Sequence, residues 1–120
     1  MTDQDPKTAT IRSQNDLFRA SKLAGKHTDL KGQVIMTQGI AALEPEDQQD
    51  VLLKVSCFDQ FSEDNDPHGE HDFGQIIAPT GDKVFWKMDY YAADMMHGSE
   101  NPADPIQTHR VLTIMLASEY

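Results

Sequence analysis

KVFWKMDYYA, residues 83–92, is the stretch that decides the fold. It follows a second segment of β-forming residues, FGQIIAP at residues 73–79, and only the glycine-containing turn TGD separates the two. Short glycine turns between such segments are typical of β-hairpins. Because side chains alternate along a strand, one face of the second strand is predicted to form the core: Val84, Trp86, Met88 and Tyr90.

The opposite face of this strand displays Lys87 and Asp89 between aromatic residues. Asp89 is a candidate for acid–base chemistry, because its place between Met88 and Tyr90 on a central strand predicts partial burial, which can adapt a carboxylate to proton transfer. The alternative is structural, with Asp89 paired to Lys87 or to Arg110 from an adjacent strand.

Two helices are predicted upstream of the hairpin. Residues 10–25 form the first, which Gly25 ends, and residues 42–61 form the second, with Pro45 in its first turn. Residues 33–39, QVIMTQG, lie between them and have the β-branched composition of a short strand. The apolar positions expected to face the core are Ile11, Leu17, Phe18 and Leu23 in the first helix and Val51, Leu52, Val55 and Phe58 in the second.

The C-terminal segment, residues 108–120, has two interpretations. RVLTIML is typical of a buried strand, yet Val111, Leu112, Met115 and Leu116 also fit a helical stripe. We predict a strand that returns beside the hairpin, with a helix close behind, and keep a helix over residues 109–120 as the alternative. The whole sequence then predicts a flexible tail at residues 1–9 and one α+β domain at residues 10–120. That domain is a small, mainly antiparallel sheet with two packed helices.

Charge is distributed unevenly along the 120 residues, whose net charge is −10. Residues 1–58 carry a net charge of −1 and residues 59–120 carry −9, and no Lys or Arg occurs between Lys54 and Lys83. Nucleic acids are bound through Lys and Arg, so direct DNA or RNA binding by the C-terminal half is not expected. An acidic face suits a basic protein partner or a cation.

No membrane segment is predicted, because no apolar run reaches the length of about 20 residues that crosses a bilayer. No signal peptide is predicted either, because the N-terminal residues MTDQDPKTAT have neither a basic start nor an apolar stretch. The single cysteine, Cys57, has no intramolecular partner for a disulfide, which indicates a reducing, cytoplasmic location. Its place in the apolar register beside Phe58 predicts a buried, inert thiol.

DNDPHGEHDFG, residues 64–74, is the candidate site. His68 and His71 with nearby carboxylates are suitable ligands for zinc, manganese or iron, so a divalent metal is possible although no cofactor is required. The order His-Gly-Glu-His is not the helical metalloprotease pattern, and Gln75 stands where a calcium loop has its bidentate glutamate. The structural alternative is that the Asp and Asn side chains cap local turns. The candidate binding residues are Asp64, Asp66, His68, Glu70, His71 and Asp72.

Four longer segments, NDPHGEHDFG, VFWKMDYY, GSENPADP and RVLTIMLASEY, resemble an uncharacterised family of small alphaproteobacterial proteins, often encoded on plasmids and other mobile elements. IRSQNDLFR and VIMTQGIAAL are also similar, so the resemblance covers nearly all of residues 10–120. It carries no known activity, cofactor or catalytic residue. It implies a bacterial cytoplasmic protein associated with mobile-element maintenance or evasion of host defence.

Three functions are compatible with these features. The preferred one is a small acidic protein without catalytic activity that binds and modulates a protein partner, such as a restriction or CRISPR component with a basic nucleic-acid surface. The second is a small metal-dependent hydrolase that uses His68 and His71. The third is a structural or oligomeric component whose acidic loop has no separate chemistry.

Overall fold

A computed structural model describes residues 5–120. Its helices are α1 (Pro6–Leu23), α2 (Gln38–Ala41) and α3 (Pro45–Ser56), and its strands are β1 (Gly32–Met36), β2 (Phe73–Ile77), β3 (Lys83–Tyr91) and β4 (His109–Leu116). A 3-10 turn, Ala117–Glu119, follows β4. The predicted α+β fold is confirmed, and α2 is an additional single-turn helix. None of the helices described for residues 5–120 combines the length and the apolar character of a membrane crossing.

The four strands form one sheet in the order β1-β4-β3-β2. β2 and β3 form the predicted antiparallel hairpin, and β4 returns antiparallel to β3. β1 pairs parallel to β4, so it lies at one edge of the sheet and β2 lies at the other. The strand interpretation of the C-terminal segment is therefore confirmed, with a 3-10 turn where a helix was expected.

The core lies between one face of this sheet and the helices. Val84, Trp86 and Met88 are buried on β3, as predicted from their alternation, and Tyr90 is half-buried at the end of the same row. Residues opposite them on β4 share this face because paired residues project to the same side. The helices and β4 complete the core with Phe18, Ile40, Val51, Val55, Leu112 and Ile114.

Helix α1 begins earlier than predicted. The Asp5 side chain accepts a hydrogen bond of 3.0 Å from the Lys7 N–H, and Pro6 occupies the first helical position, where its missing N–H costs no hydrogen bond. The prediction of a flexible tail is thus wrong for residues 6–9, and residues 1–4 of that tail lie outside the described residues. Leu17 is 55% exposed, contrary to prediction, because the buried stripe runs through Ile11 and Phe18 instead.

Two other predicted segments end early. Helix α3 stops at Ser56, and Cys57, which follows as its C-cap, is exposed, so the prediction of a buried thiol is wrong. Phe58, the next residue, packs against the core in its place. Strand β1 ends at Met36 because Thr37 begins the helical turn α2.

Candidate functional site

Residues 57–72, which we call the acidic loop, connect α3 to β2 and contain all six predicted binding residues. Asn65 accepts a 2.9 Å hydrogen bond from the Ser62 N–H, and the buried Asp66 accepts one of 3.1 Å from the His71 N–H. Gly69 takes a φ of +72°, which a glycine adopts without strain. Asp and Asn side chains therefore build the local turns, as the structural alternative predicted.

His71 attaches this loop to α1. Its Nδ1 lies 2.9 Å from Asp16 Oδ1, and its Nε2 lies 3.8 Å from Asp66 Oδ2. Its ring stacks on Phe61, with 3.7 Å between centroids and 3° between planes. The residue has a φ of +54°, a left-handed conformation that is uncommon for residues other than glycine. These contacts hold the imidazole in place and so stabilise the strained backbone conformation of His71.

The two histidines of the predicted metal pair differ in their surroundings. His68 is exposed, whereas the side chain of His71 is partly buried and directed at Asp16. Both line an open cavity of about 720 Å³ between α1 and the loop, together with Arg12, Phe61, Ser62 and Asp66. Within residues 5–120, no group of three or more His, Cys, Asp or Glu side chains could hold a metal ion. The metal hypothesis for His68 and His71 therefore lacks a ligand set in the described part of the chain.

A buried polar network lies beneath the loop, centred on Asn15, which is 0% exposed. The Asn15 side-chain amide donates to the Glu70 carbonyl at 3.0 Å and to the Tyr90 hydroxyl at 2.7 Å. Tyr90 in turn donates to Glu70 Oε1 at 2.9 Å. Arg110 Nε donates to Asn15 Oδ1 at 2.8 Å. One asparagine thus connects α1, the acidic loop, β3 and β4.

Arg110 belongs to this network through uncharged acceptors. Its Nη2 donates to Gln14 Oε1 at 2.7 Å and to the Pro102 carbonyl at 3.2 Å. Its guanidinium lies 5.5 Å from the centroid of the Tyr90 ring. Burial lowers the pKa of Arg110, although a guanidinium stays protonated at neutral pH. Burial also raises the pKa of the Tyr90 hydroxyl, so Tyr90 acts as a neutral donor and acceptor.

A second buried arginine, Arg19, fixes the start of the loop. Its Nε donates to the Val55 carbonyl and its Nη2 to the Phe58 carbonyl, each at 2.9 Å. Its guanidinium lies 4.6 Å from the centroid of the Trp86 ring, and Nη2 lies 3.3 Å from Asp16. Burial lowers the pKa of Arg19 while Asp16 opposes that shift. The chain leaving α3 is therefore held to α1 by a cation.

The structure divides the predicted binding residues into two sets. Asp64 and His68 are exposed, whereas Glu70, His71 and Asp72 are partly buried and Asp66 is buried. The sequence did not connect Asn15 or Arg110 with the acidic loop, because both residues lie far from the loop in sequence. The one available signal was an arginine directly before the apolar residues of RVLTIML, since arginine is rarely buried unless it is paired.

Asp89, the candidate for acid–base chemistry, lies on the open face of the sheet. Its Oδ2 is 3.0 Å from Lys87 Nζ, and both side chains are 39% exposed. Arg110 pairs with Tyr90 in the sheet and so projects to the other face. The structure thus shows the pairing with Lys87 rather than the one with Arg110.

Asp72 provides a pH prediction. Burial raises the pKa of its carboxyl, and the charges of Glu70 and Asp66 raise it further. The folded state therefore binds a proton at Asp72 more readily than the unfolded chain, so this group favours folding at low pH and loses that contribution as pH rises through the folded pKa. We expect Asp72→Asn to raise the melting temperature at pH 7, with the gain disappearing below the ordinary aspartate pKa of about 3.9.

The matched control for this experiment is Asp64→Asn, which removes an exposed carboxylate from the same loop. Thermal unfolding followed by circular dichroism at pH 3 and pH 7 measures both variants. An equal gain for the two variants at pH 7 would attribute the effect to net charge and not to burial of Asp72.

Comparison with known protein families gives one match: a family model described as a protein of unknown function, DUF3768, covers residues 36–119. Comparison with curated proteins and with solved structures gives no match. The matched residues include α2, α3, the acidic loop and strands β2 to β4. The resemblance to an uncharacterised family is confirmed for these residues, whereas the alphaproteobacterial origin and the mobile-element setting stay predictions.

Proposed function

Because the chain belongs to the DUF3768 family of proteins of unknown function, we propose its function from the geometry of the acidic loop. The protein binds and modulates a basic protein partner, without catalysis, through the exposed acids at the start of that loop. We call Asp59, Glu63 and Asp64 the outer carboxylates. The observation that carries this proposal is that internal contacts involve Asp66 and Glu70 and leave the outer carboxylates exposed.

The backbone that carries the outer carboxylates is held from beneath. Asn65 bridges the loop by donating to the Gln60 carbonyl at 2.9 Å and accepting from the Ser62 N–H. Phe61 packs edge-to-face on Phe58, with 5.0 Å between centroids, and stacks on His71. A loop that is ordered before binding loses less conformational entropy when a partner binds, which favours affinity.

Charge favours a basic partner. No lysine or arginine occurs in residues 55–82, so the outer carboxylates lie in a stretch without basic neighbours in sequence. Such a surface repels phosphates and attracts the basic surfaces of proteins that bind nucleic acids. We therefore propose, as the finer role, that the chain modulates a nucleic-acid-binding protein by occupying its basic surface, with restriction and CRISPR components as the class expected.

The test removes the charge of the outer carboxylates without altering their shape. The loop variant is Asp59→Asn, Glu63→Gln, Asp64→Asn. The control variant has the same net charge and changes three exposed acids elsewhere: Asp29→Asn, Glu44→Gln, Glu100→Gln. Tagged chains are incubated with a bacterial lysate, the proteins retained by the wild type are purified, and Kd is measured for each variant across a salt series. We expect the loop variant to weaken binding at least about tenfold and the control variant to change it little.

Affinity for the retained partner should also fall as salt rises, because exposed charges are screened. Salt-independent binding, or equal loss in the two variants, contradicts the proposed surface. For the finer role, the chain should displace a DNA or RNA duplex from the purified partner. A partner that binds the chain and the nucleic acid together excludes that role and leaves the binding function in place.

A further inference from the structure

We propose that β1 is a dimerisation edge: two copies of this chain pair their β1 strands antiparallel, centred on Val34, and join their sheets. β1 is an end strand of the sheet, with the sequence GQVIM. It contains no charged residue and no proline, which are the usual protections of an edge strand. Three of its five residues, Gln33, Ile35 and Met36, are exposed. An uncharged, exposed edge of this kind is a template for pairing with another strand.

Two hydrogen bonds show which backbone groups of β1 are free to pair. The Arg110 N–H donates to the Lys31 carbonyl at 2.9 Å, and the Thr37 N–H donates to the Ile114 carbonyl at 3.0 Å. Backbone groups alternate in direction along a strand. The N–H and C=O groups at every second position from Lys31 to Thr37 therefore face β4. The N–H and C=O groups of Gly32, Val34 and Met36 therefore point away from the sheet.

The opposite edge, β2, is covered at one end by a lysine. The Met88 N–H donates to the Asp72 carbonyl at 2.9 Å, so the residues out of phase with Asp72, including Ile77, direct their backbone groups outward. The outward Ile77 carbonyl already accepts a 2.9 Å hydrogen bond from Lys54 Nζ. A lysine that covers an edge in this way discourages strand pairing. Lys54 thus occupies an outward group of β2, whereas no hydrogen bond in the described part of the chain occupies an outward backbone group of Gly32, Val34 or Met36.

Pairing centred on Val34 is self-complementary. It places Val34 opposite Val34 of the partner subunit and Gly32 opposite Met36 of the partner subunit, so that all the outward groups face each other. Ile35 then lies opposite Gln33 of the partner subunit and diagonal to its counterpart, within reach of apolar contact. Ile35 and Met36 are 41% and 40% exposed, so pairing would remove apolar surface from water.

Charge is complementary in the same register. Lys31 would lie opposite Thr37 of the partner subunit. In each chain the Thr37 hydroxyl donates to Glu119 Oε1 at 2.6 Å, so a carboxylate accompanies that threonine. Each end of the paired strands thus brings a lysine toward a glutamate of the other copy. Although each chain has a net charge of −10, no like charges face each other along β1.

An apolar groove continues the surface at the start of β1. It has a volume of about 520 Å³ and includes Leu17, Leu30, Lys31 and Ile106 in its lining. Leu17 is 55% exposed and Ile106 is 76% exposed. Antiparallel pairing brings the chain that follows β1 of the partner subunit past Lys31 to this groove. In the paired arrangement, this part of the partner subunit would cover the exposed apolar residues of the groove.

The test is the mass of the full 120-residue chain in solution. Sedimentation velocity should give twice the 13.5 kDa of one chain for the wild type. Ile35→Lys should give the monomer mass, because each new lysine meets its counterpart and Lys31 of the partner subunit. Ile77→Lys is the matched control, because Ile77 is an isoleucine of similar exposure on the other edge strand, and this variant should remain dimeric. Circular dichroism confirms that each variant is folded.

Hydrogen exchange tests the same register without a substitution. In the wild type the outward amides of Val34 and Met36 should exchange at least about tenfold more slowly than those of Phe73 and Gln75, which point outward on β2. A wild-type chain that is monomeric at about 0.5 mM, well above typical dimer dissociation constants, overturns the proposal. A dimer that persists in Ile35→Lys, or one in which Val34 and Met36 exchange as fast as Phe73, also overturns it.

Discussion

Replacing Trp86 with alanine is expected to lower the free energy of unfolding by about 5 kcal/mol, the upper end of the range for a buried aromatic residue. Trp86 is 0% exposed at the centre of β3. It packs edge-to-face on Phe58 and Phe61, with centroids 5.5 and 6.0 Å away. It also lies 4.6 Å from the guanidinium of Arg19, so the substitution leaves that cation without its aromatic neighbour. Urea denaturation followed by circular dichroism measures the loss.

Trp86→Phe separates the contribution of the aromatic face from the contributions of the indole N–H and the larger side-chain volume. Trp86 Nε1 is buried and has no hydrogen-bond partner within residues 5–120, so phenylalanine removes an unsatisfied donor while retaining an aromatic face. We expect a loss of only about 1–2 kcal/mol, from the reduced volume. Losses of equal size for Trp86→Phe and Trp86→Ala would mean that aromatic packing is not what stabilises this centre.

Asn15→Ala is expected to lower the free energy of unfolding by about 3–5 kcal/mol, although it removes only a small side chain. The substitution leaves the Glu70 carbonyl without its amide donor and the Arg110 Nε without its acceptor. An unpaired group on a buried guanidinium is costly because the cation has already lost its water. The acidic loop should also exchange its amide hydrogens faster, since Asn15 holds Glu70 against α1.

Gln14→Ala is the matched control, because Gln14 also accepts from Arg110 but is only partly buried. Water can replace it, so the expected loss is about 1 kcal/mol. Tyr90→Phe completes a double-mutant cycle with Asn15→Ala, and we expect a coupling energy of about 1 kcal/mol or more between these contacting residues. Equal losses for Asn15→Ala and Gln14→Ala, or additive effects in the cycle, argue against a cooperative network.

The hairpin was predictable because local patterns determine it. Residues 80–82 contain the turn glycine, and the alternation from Val84 to Tyr90 selects the buried face without reference to the rest of the chain. The parallel pairing of β1 with β4 was not predicted, since it joins residues about 80 positions apart and depends on which edge remains open after β3 and β4 pair. Helix α1 begins before the predicted residue 10, because Asp5 caps the helix and Pro6 occupies its first position, although the composition of this segment is typical of a polar tail.

The acidic loop shows the limit of local reasoning more clearly. Its composition correctly indicated turns built by Asp and Asn side chains, because the hydrogen bonds that these side chains accept join residues within five positions of each other. Composition alone does not distinguish the carboxylates that face inward from those that face water. That distinction depends on Asp16, Asn15 and Arg110, which approach the loop only after α1 packs on the sheet.

The amino-acid sequence alone determined the α+β class, the hairpin, the strand character of the C-terminal segment and the surplus of negative charge after residue 58. Tertiary structure decided which loop acids stay exposed, where His71 is directed and which edge of the sheet is open. The physical reason is range. Side-chain alternation, turn geometry and net charge depend on neighbours in sequence, whereas burial and the pairing of buried polar groups depend on residues that meet only when the chain has folded.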